Sequence, residues 1–205
     1  MKTKIISFCI AILASTSMFA QSIWFEQDIR VPDKKPAIFY TQIQYTKNIG
    51  TTGISIAPYL ATSYDWHEGL AFVNYTKGIF SGGIGAGIEA DKTIQKIGFR
   101  WSPWLRLSPV IYSPDQGVLE ILSQWEFGDG YNNYWYSNSI SYKVGSDKDS
   151  KGEMGILARR FYGVGPIIGV TFNIKKETTL RIALAALRDL ETGQDNPTAF
   201  VTITL

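Results

Sequence analysis

Apolar and polar positions alternate along most of this chain. Ile97, Phe99, Trp101, Pro103 and Leu105 share one parity, and Gly98, Arg100, Ser102, Trp104 and Arg106 share the other. The last seven residues repeat the pattern: Ala199, Val201, Ile203 and Leu205 on one face, Phe200, Thr202 and Thr204 on the other. A period of two predicts a β-strand with one apolar face. The same rule predicts strands over Ser22–Val31, Ala37–Thr46, Gly53–Tyr64, Val118–Phe127 and Tyr131–Val144. Thr178–Arg188 also reads as a strand, although Leu180, Ala183, Leu184 and Leu187 would line one helix face as well.

Two longer stretches leave the strand number open. Leu70–Ala90 contains Thr76-Lys77-Gly78, which suits a hairpin turn or a bulge in one long strand. Met154–Lys175 keeps one parity from Tyr162 through Val164, Pro166, Ile168, Val170, Phe172 and Ile174. Taking each as one strand gives about ten strands, with eight or twelve as the neighbouring even numbers. From residue 107 onward, long connections (108–117, 145–152, 189–197) alternate with tight ones (128–130, 175–177). That alternation predicts up-and-down hairpins with the long loops gathered at one end.

The N-terminus changes the picture of where such strands sit. Lys2 and Lys4 precede an apolar run from Ile5 to Ala14, too short to span a bilayer as a helix. Small residues follow, and Ala20 suits a cleavage site, so residues 1–20 read as a signal peptide and 21–205 as one domain. Cleavage would remove Cys9, the only cysteine, and with it any disulfide or thiolate chemistry. It would also bring the cationic residues level with the 18 acidic ones, a balance that does not suggest nucleic acid. Exported alternating strands with no later apolar run of helix-spanning length predict an all-β fold: a single antiparallel up-and-down transmembrane β-barrel, its apolar face in outer-membrane lipid. Gly83, Gly85 and Gly87 alternate with Ile84, Ala86 and Ile88. Such glycines leave room for neighbouring side chains in a narrow lumen.

Charged residues on the polar parity supply the candidate chemistry. A register that sets Arg106 opposite Glu120 also sets Arg100 opposite Glu126, Trp101 near Trp125 and Phe99 near Phe127. Arg159, Arg181 and Thr171 would join these groups if parity holds. Such pairs either pack a polar lumen or form a charged constriction for a small polar or anionic solute. Trp104 and Trp135, on inward faces, are candidates for stacking a sugar. Tyr40, Tyr45, Tyr59, Tyr64, Trp66, Trp101, Trp125, Tyr134 and Tyr136 fit interfacial belts. His67, the only histidine, lies in a predicted turn between Asp65 and Glu68. No metal-ligand spacing, phosphate loop or nucleophile elbow occurs, so no metal or cofactor is expected.

The leader, the two-residue repeats, the aromatic girdle and the alternating C-terminal strand together resemble the small outer-membrane β-barrel proteins of diderm bacteria. That class commonly ends in an aromatic residue, whereas this chain ends in Leu205. The resemblance implies a non-enzymatic barrel, either a narrow porin-like solute channel or a plugged structural barrel. The inward arginines look like those of narrow porins for acidic oligosaccharides. Two other readings use the same residues. One is an outer-membrane enzyme acting on lipid or envelope polymer through the 65–68 turn. The other is a soluble periplasmic barrel around an apolar ligand.

Overall fold

The computed structural model describes residues 22–33, 35–92, 95–109, 117–129, 133–145, 150–175 and 177–205. Residues 1–21, which include the expected leader, and parts of the 108–117 and 145–152 connections lie outside the described residues. Twelve strands close into one barrel in strict up-and-down order: β1 (Ser22–Arg30), β2 (Ile38–Asn48), β3 (Ile54–Thr62), β4 (Trp66–Lys77), β5 (Phe80–Asp91), β6 (Lys96–Leu107), β7 (Val118–Gly128), β8 (Tyr134–Val144), β9 (Ser150–Arg159), β10 (Gly163–Lys175), β11 (Thr178–Arg188) and β12 (Asp195–Thr204). β1 and β12 pair antiparallel from Trp24–Thr204 to Arg30–Thr198. Ile23 and Leu205 exchange two backbone hydrogen bonds of 2.9 and 2.8 Å, which carry the seam to the final residue. No sheet edge is left open.

The expected ten strands become twelve because both ambiguous stretches fold as hairpins. In the first, Lys77 pairs with Phe80 around Gly78, whose φ of 59° lies in the left-handed region that glycine adopts without strain. In the second, Tyr162 N–H donates to the Arg159 carbonyl at 3.1 Å, with Phe161 at φ 67° between them. Neither Arg160 nor Phe161 carries turn chemistry, which is why the sequence reads straight through this turn. Thr178–Arg188 is a strand, paired on both sides.

An even strand number puts both termini at one end, called here the near end. The extra turn at 160–162 moves every later connection to the opposite end. Connection 108–117 therefore shares the near end with the two-residue connection 176–177, and 189–194 lies at the far end. The predicted gathering of long connections at one end does not hold.

The outward face is apolar around the whole circuit. Ile56, Val73, Ile84, Ile88, Phe99, Ile140, Met154, Ile156, Ile168 and Leu184 are all exposed on it. Trp101, Phe127, Trp125 and Tyr136 form a continuous outward stack, with successive ring centroids 4.7, 6.3 and 5.3 Å apart. Strands of 9–13 residues are long enough to cross a hydrocarbon layer at the usual tilt. Apolar outside and charged inside is the inverse of a soluble barrel that holds an apolar ligand.

Inside, two apolar patches line opposite walls. One joins Ala57, Tyr59, Ala61, Leu70 and Phe72 of β3 and β4, the other Leu157, Ile167, Ala183, Ala185, Leu187 and Phe200 of β9–β12 with Tyr162. The alternate glycines of β5 make room for the first patch. A Cβ on Gly85 would lie 2.5 Å from the Phe72 ring, and one on Gly83 would lie 2.2 Å from Asn74 Oδ1.

Candidate lumen site

Charged and aromatic side chains cross the lumen nearer its far end and divide it. Arg159 reaches from β9 past the inner faces of β10, β11 and β12 to Asp28 on β1, with Nη1 2.5 Å from Oδ2. Tyr162 Oη donates to the same Asp28 oxygen at 3.3 Å. Glu26, two residues along β1, accepts from Thr202 Oγ1 at 2.8 Å and from Gln42 Nε2 at 3.2 Å. Tyr59 Oη donates to Gln42 Oε1 at 2.9 Å and lies 3.3 Å from Tyr40 Oη. This half of the crossing layer thus links β1, β2, β3, β9 and β12.

The other half is built around Arg100. Its Nη2 is 2.8 Å from Glu89 Oε2, and its Nε is 3.6 Å from Glu68 Oε2. Trp66 Nε1 donates to the same Glu89 oxygen at 2.9 Å. Gln124 Nε2 donates to Glu126 Oε1 at 3.1 Å, and Glu126 faces Glu68 across the lumen. Arg100 and Glu89 are each 1% exposed. We call the whole layer the septum.

The septum separates two cavities. The far-end cavity, about 450 Å³, is lined by Arg30, Tyr40, Trp66, Arg100, Glu126 and Tyr162 among others. The near-end cavity, about 470 Å³, is lined by Trp104, Arg106, Glu120, Lys143, Glu153 and Arg181, with Glu26, Tyr59 and Arg159 towards the septum. Trp135 lines both. Near-end charges pair along the wall. Glu120 lies 2.8 Å from Lys143 Nζ and 3.7 Å from Arg106 Nε, and Arg181 forms two bonds to Glu153 at 2.7 and 3.1 Å. These groups keep contact with solvent: the Arg106 side chain is 46% exposed and that of Lys143 31%.

The candidate residues distribute over both regions. Arg100, Glu126 and Arg159 lie in the septum, and Arg106, Glu120 and Arg181 lie in the near-end cavity. The expected β6–β7 register is wrong by two residues. Arg106 lies opposite Leu122, Arg100 opposite Gly128 and Trp101 opposite Phe127. Parity survives a shift of two, so the faces are as expected while the partners differ. Arg106 still reaches Glu120 diagonally, and Arg100 turns to Glu89 and Glu68 on the other side. Thr171 lies opposite Arg181 on β10. Trp104 donates from Nε1 to Asn74 Oδ1 at 2.9 Å beneath the Arg106 guanidinium, 5.9 Å from its ring centroid.

Three expected belt residues point inward instead: Tyr40, Tyr59 and Trp66 bond within the septum. Tyr64, Trp101, Trp125 and Tyr134 are exposed on the outer surface. The 65–68 segment is not a turn, because β4 begins at Trp66. His67 Nδ1 lies 2.6 Å from Thr62 Oγ1, while Glu68 points into the lumen from the opposite face. The hydroxyl of Thr62, and not a carboxylate, holds this ring nitrogen.

Several septum residues escape the sequence reading. Glu26 and Asp28 lie on the polar parity of β1 and were legible there. Glu68 and Glu89 lie where a turn and one undivided strand were expected, which hid their shared face.

No family model and no curated protein matches this sequence. Solved structures do match its fold. The KdgM porin in complex with disordered oligogalacturonate superposes with a TM-score of 0.59 at 11% identity, over 88% of this chain and 97% of that one. The NanC porin gives 0.58 at 11% identity, covering 89% and 98%. An outer membrane channel from Pseudomonas putida F1 gives 0.60 at 6% identity, covering 89% and 92%. The chain shares the fold of outer-membrane β-barrel proteins.

Proposed function

We propose that this protein is a non-enzymatic outer-membrane barrel, exported by a leader cleaved after Ala20, that acts as a narrow solute channel. The near-end cavity carries the reading: three cations, Arg106, Lys143 and Arg181, face two carboxylates, Glu120 and Glu153, around a space of about 470 Å³. An excess of partly solvated cations in a low-dielectric enclosure attracts anions. Trp104 and Trp135 add flat apolar surfaces on which a sugar ring can stack. The cavity therefore suits a small polar or anionic solute. A porin of the same fold was crystallised with oligogalacturonate, an acidic oligosaccharide, which agrees with this chemistry. The septum leaves no wide path, so general diffusion is not its role.

Current block in planar bilayers tests the reading. A short acidic oligosaccharide added at the near end should interrupt the wild-type current. Arg106→Ala combined with Lys143→Ala should weaken that block at least several-fold. Equal block in both proteins would remove the cavity from the account.

A further inference from the structure

The septum carries the opposite charge imbalance from the cavity beneath it. Its Arg100 half holds Glu68, Glu89 and Glu126 around one guanidinium. Its Arg159 half holds Glu26 and Asp28 around another. Five carboxyl groups therefore face two arginines in the layer between the two cavities, all of them buried or nearly so.

A second observation points to what this layer accepts. Oε1 of Glu89 is buried and receives no hydrogen bond from the described residues, and neither oxygen of the buried Glu68 carboxyl receives one from a nitrogen donor there. Asp28 Oδ1 is in the same position. Arg100 Nε approaches Glu68 at 3.6 Å, and the carboxyl of Glu126 stands close enough to Glu68 to share a proton with it. Buried acceptors without donors are costly, and a cation or a proton relieves them where an anion cannot. The Tyr40 and Trp66 rings stand beside this cluster with centroids 5.7 Å apart, and their faces also favour positive charge.

We infer that the septum, and not the basic cavity, sets the sign of the ions that cross this barrel, and that it passes small cations in preference to anions. Glu68, Glu89 and Glu126 are the specificity-determining residues. Anions gather in the near-end cavity but cross the septum less readily than a partly dehydrated monovalent cation, which finds oxygen ligands there. This inference rests on the channel reading above.

The reversal potential in a KCl gradient tests it, with the full chain reconstituted at mildly alkaline pH. Wild-type protein should show a reversal potential on the potassium side. Glu68→Gln with Glu126→Gln should move it towards zero or to the chloride side, while Glu120→Gln in the cavity should move it less. Chloride preference in wild-type protein overturns the inference whether or not the double variant folds. So does a folded double variant with unchanged selectivity, and the channel reading survives both results. Absence of any current from heat-modifiable, correctly folded protein overturns the channel reading and this inference together.

Discussion

The septum and the near-end cavity use the same residue types to opposite ends. In the cavity, Arg106, Glu120 and Lys143 come from three consecutive strands, so their ion pairs run along the wall and leave the middle free. In the septum, Asp28 and Arg159 come from strands with three others between them, so their bond spans the lumen and narrows it. Exposure follows from this arrangement: the Arg159 side chain is 12% exposed and the Arg106 side chain 46%. A charge on a barrel wall can be solvated and available to a solute. The same charge on a chord across the barrel is structural and difficult to remove. Position around the circuit, more than residue type, separates the two roles.

The largest effect should come from cutting one side of the chord. Arg159→Ala leaves Asp28 and Glu26 buried without their cation, a loss of about 3–5 kcal/mol. Urea unfolding followed by gel mobility should show it, and a loss below about 1 kcal/mol would mean the chord does not hold the barrel. Gly85→Val should come next. Its side chain would enter the space of the Phe72 ring and cost about 1–3 kcal/mol by overpacking, read in the same assay. Arg106→Ala should be close to neutral, within about 1 kcal/mol, because its partner is diagonal and its side chain half exposed. A destabilisation as large as that of Arg159→Ala would erase the distinction between wall and chord. The smallest perturbation tests the register. A cysteine pair at 106 and 122 should crosslink faster than one at 106 and 120, and the reverse order would restore the register expected from charge pairing.

How much of this was legible in the sequence depended on which physical signal each residue carried. Side-chain parity is local, so the inward faces of β6, β7 and β12 could be read from a few residues each. The 160–162 turn was hidden because Arg160 and Phe161 occupy positions where glycine or asparagine would announce a bend. That omission also reversed the assignment of later connections to the two ends. Register between strands is a long-range property. Matching Arg to Glu gave a plausible answer two residues away from the observed one, since a shift of two conserves every face. The Arg159–Asp28 chord lay beyond such reasoning, because residues 131 apart in sequence meet only once the closed circuit is known. Tyr40, Tyr59 and Trp66 were assigned to belts by residue type, although the parity of Tyr59 with Ser55 and Ala57 already placed it inside.

Single-channel conductance of wild-type protein beside the charge-balanced double variant Asp28→Ala, Arg159→Ala tests the central claim most directly. Removing both partners opens the chord without stranding a charge of that pair. A small wild-type conductance that rises clearly in the folded double variant is the predicted result. Equal conductance in the two folded proteins would contradict a lumen narrowed by this septum.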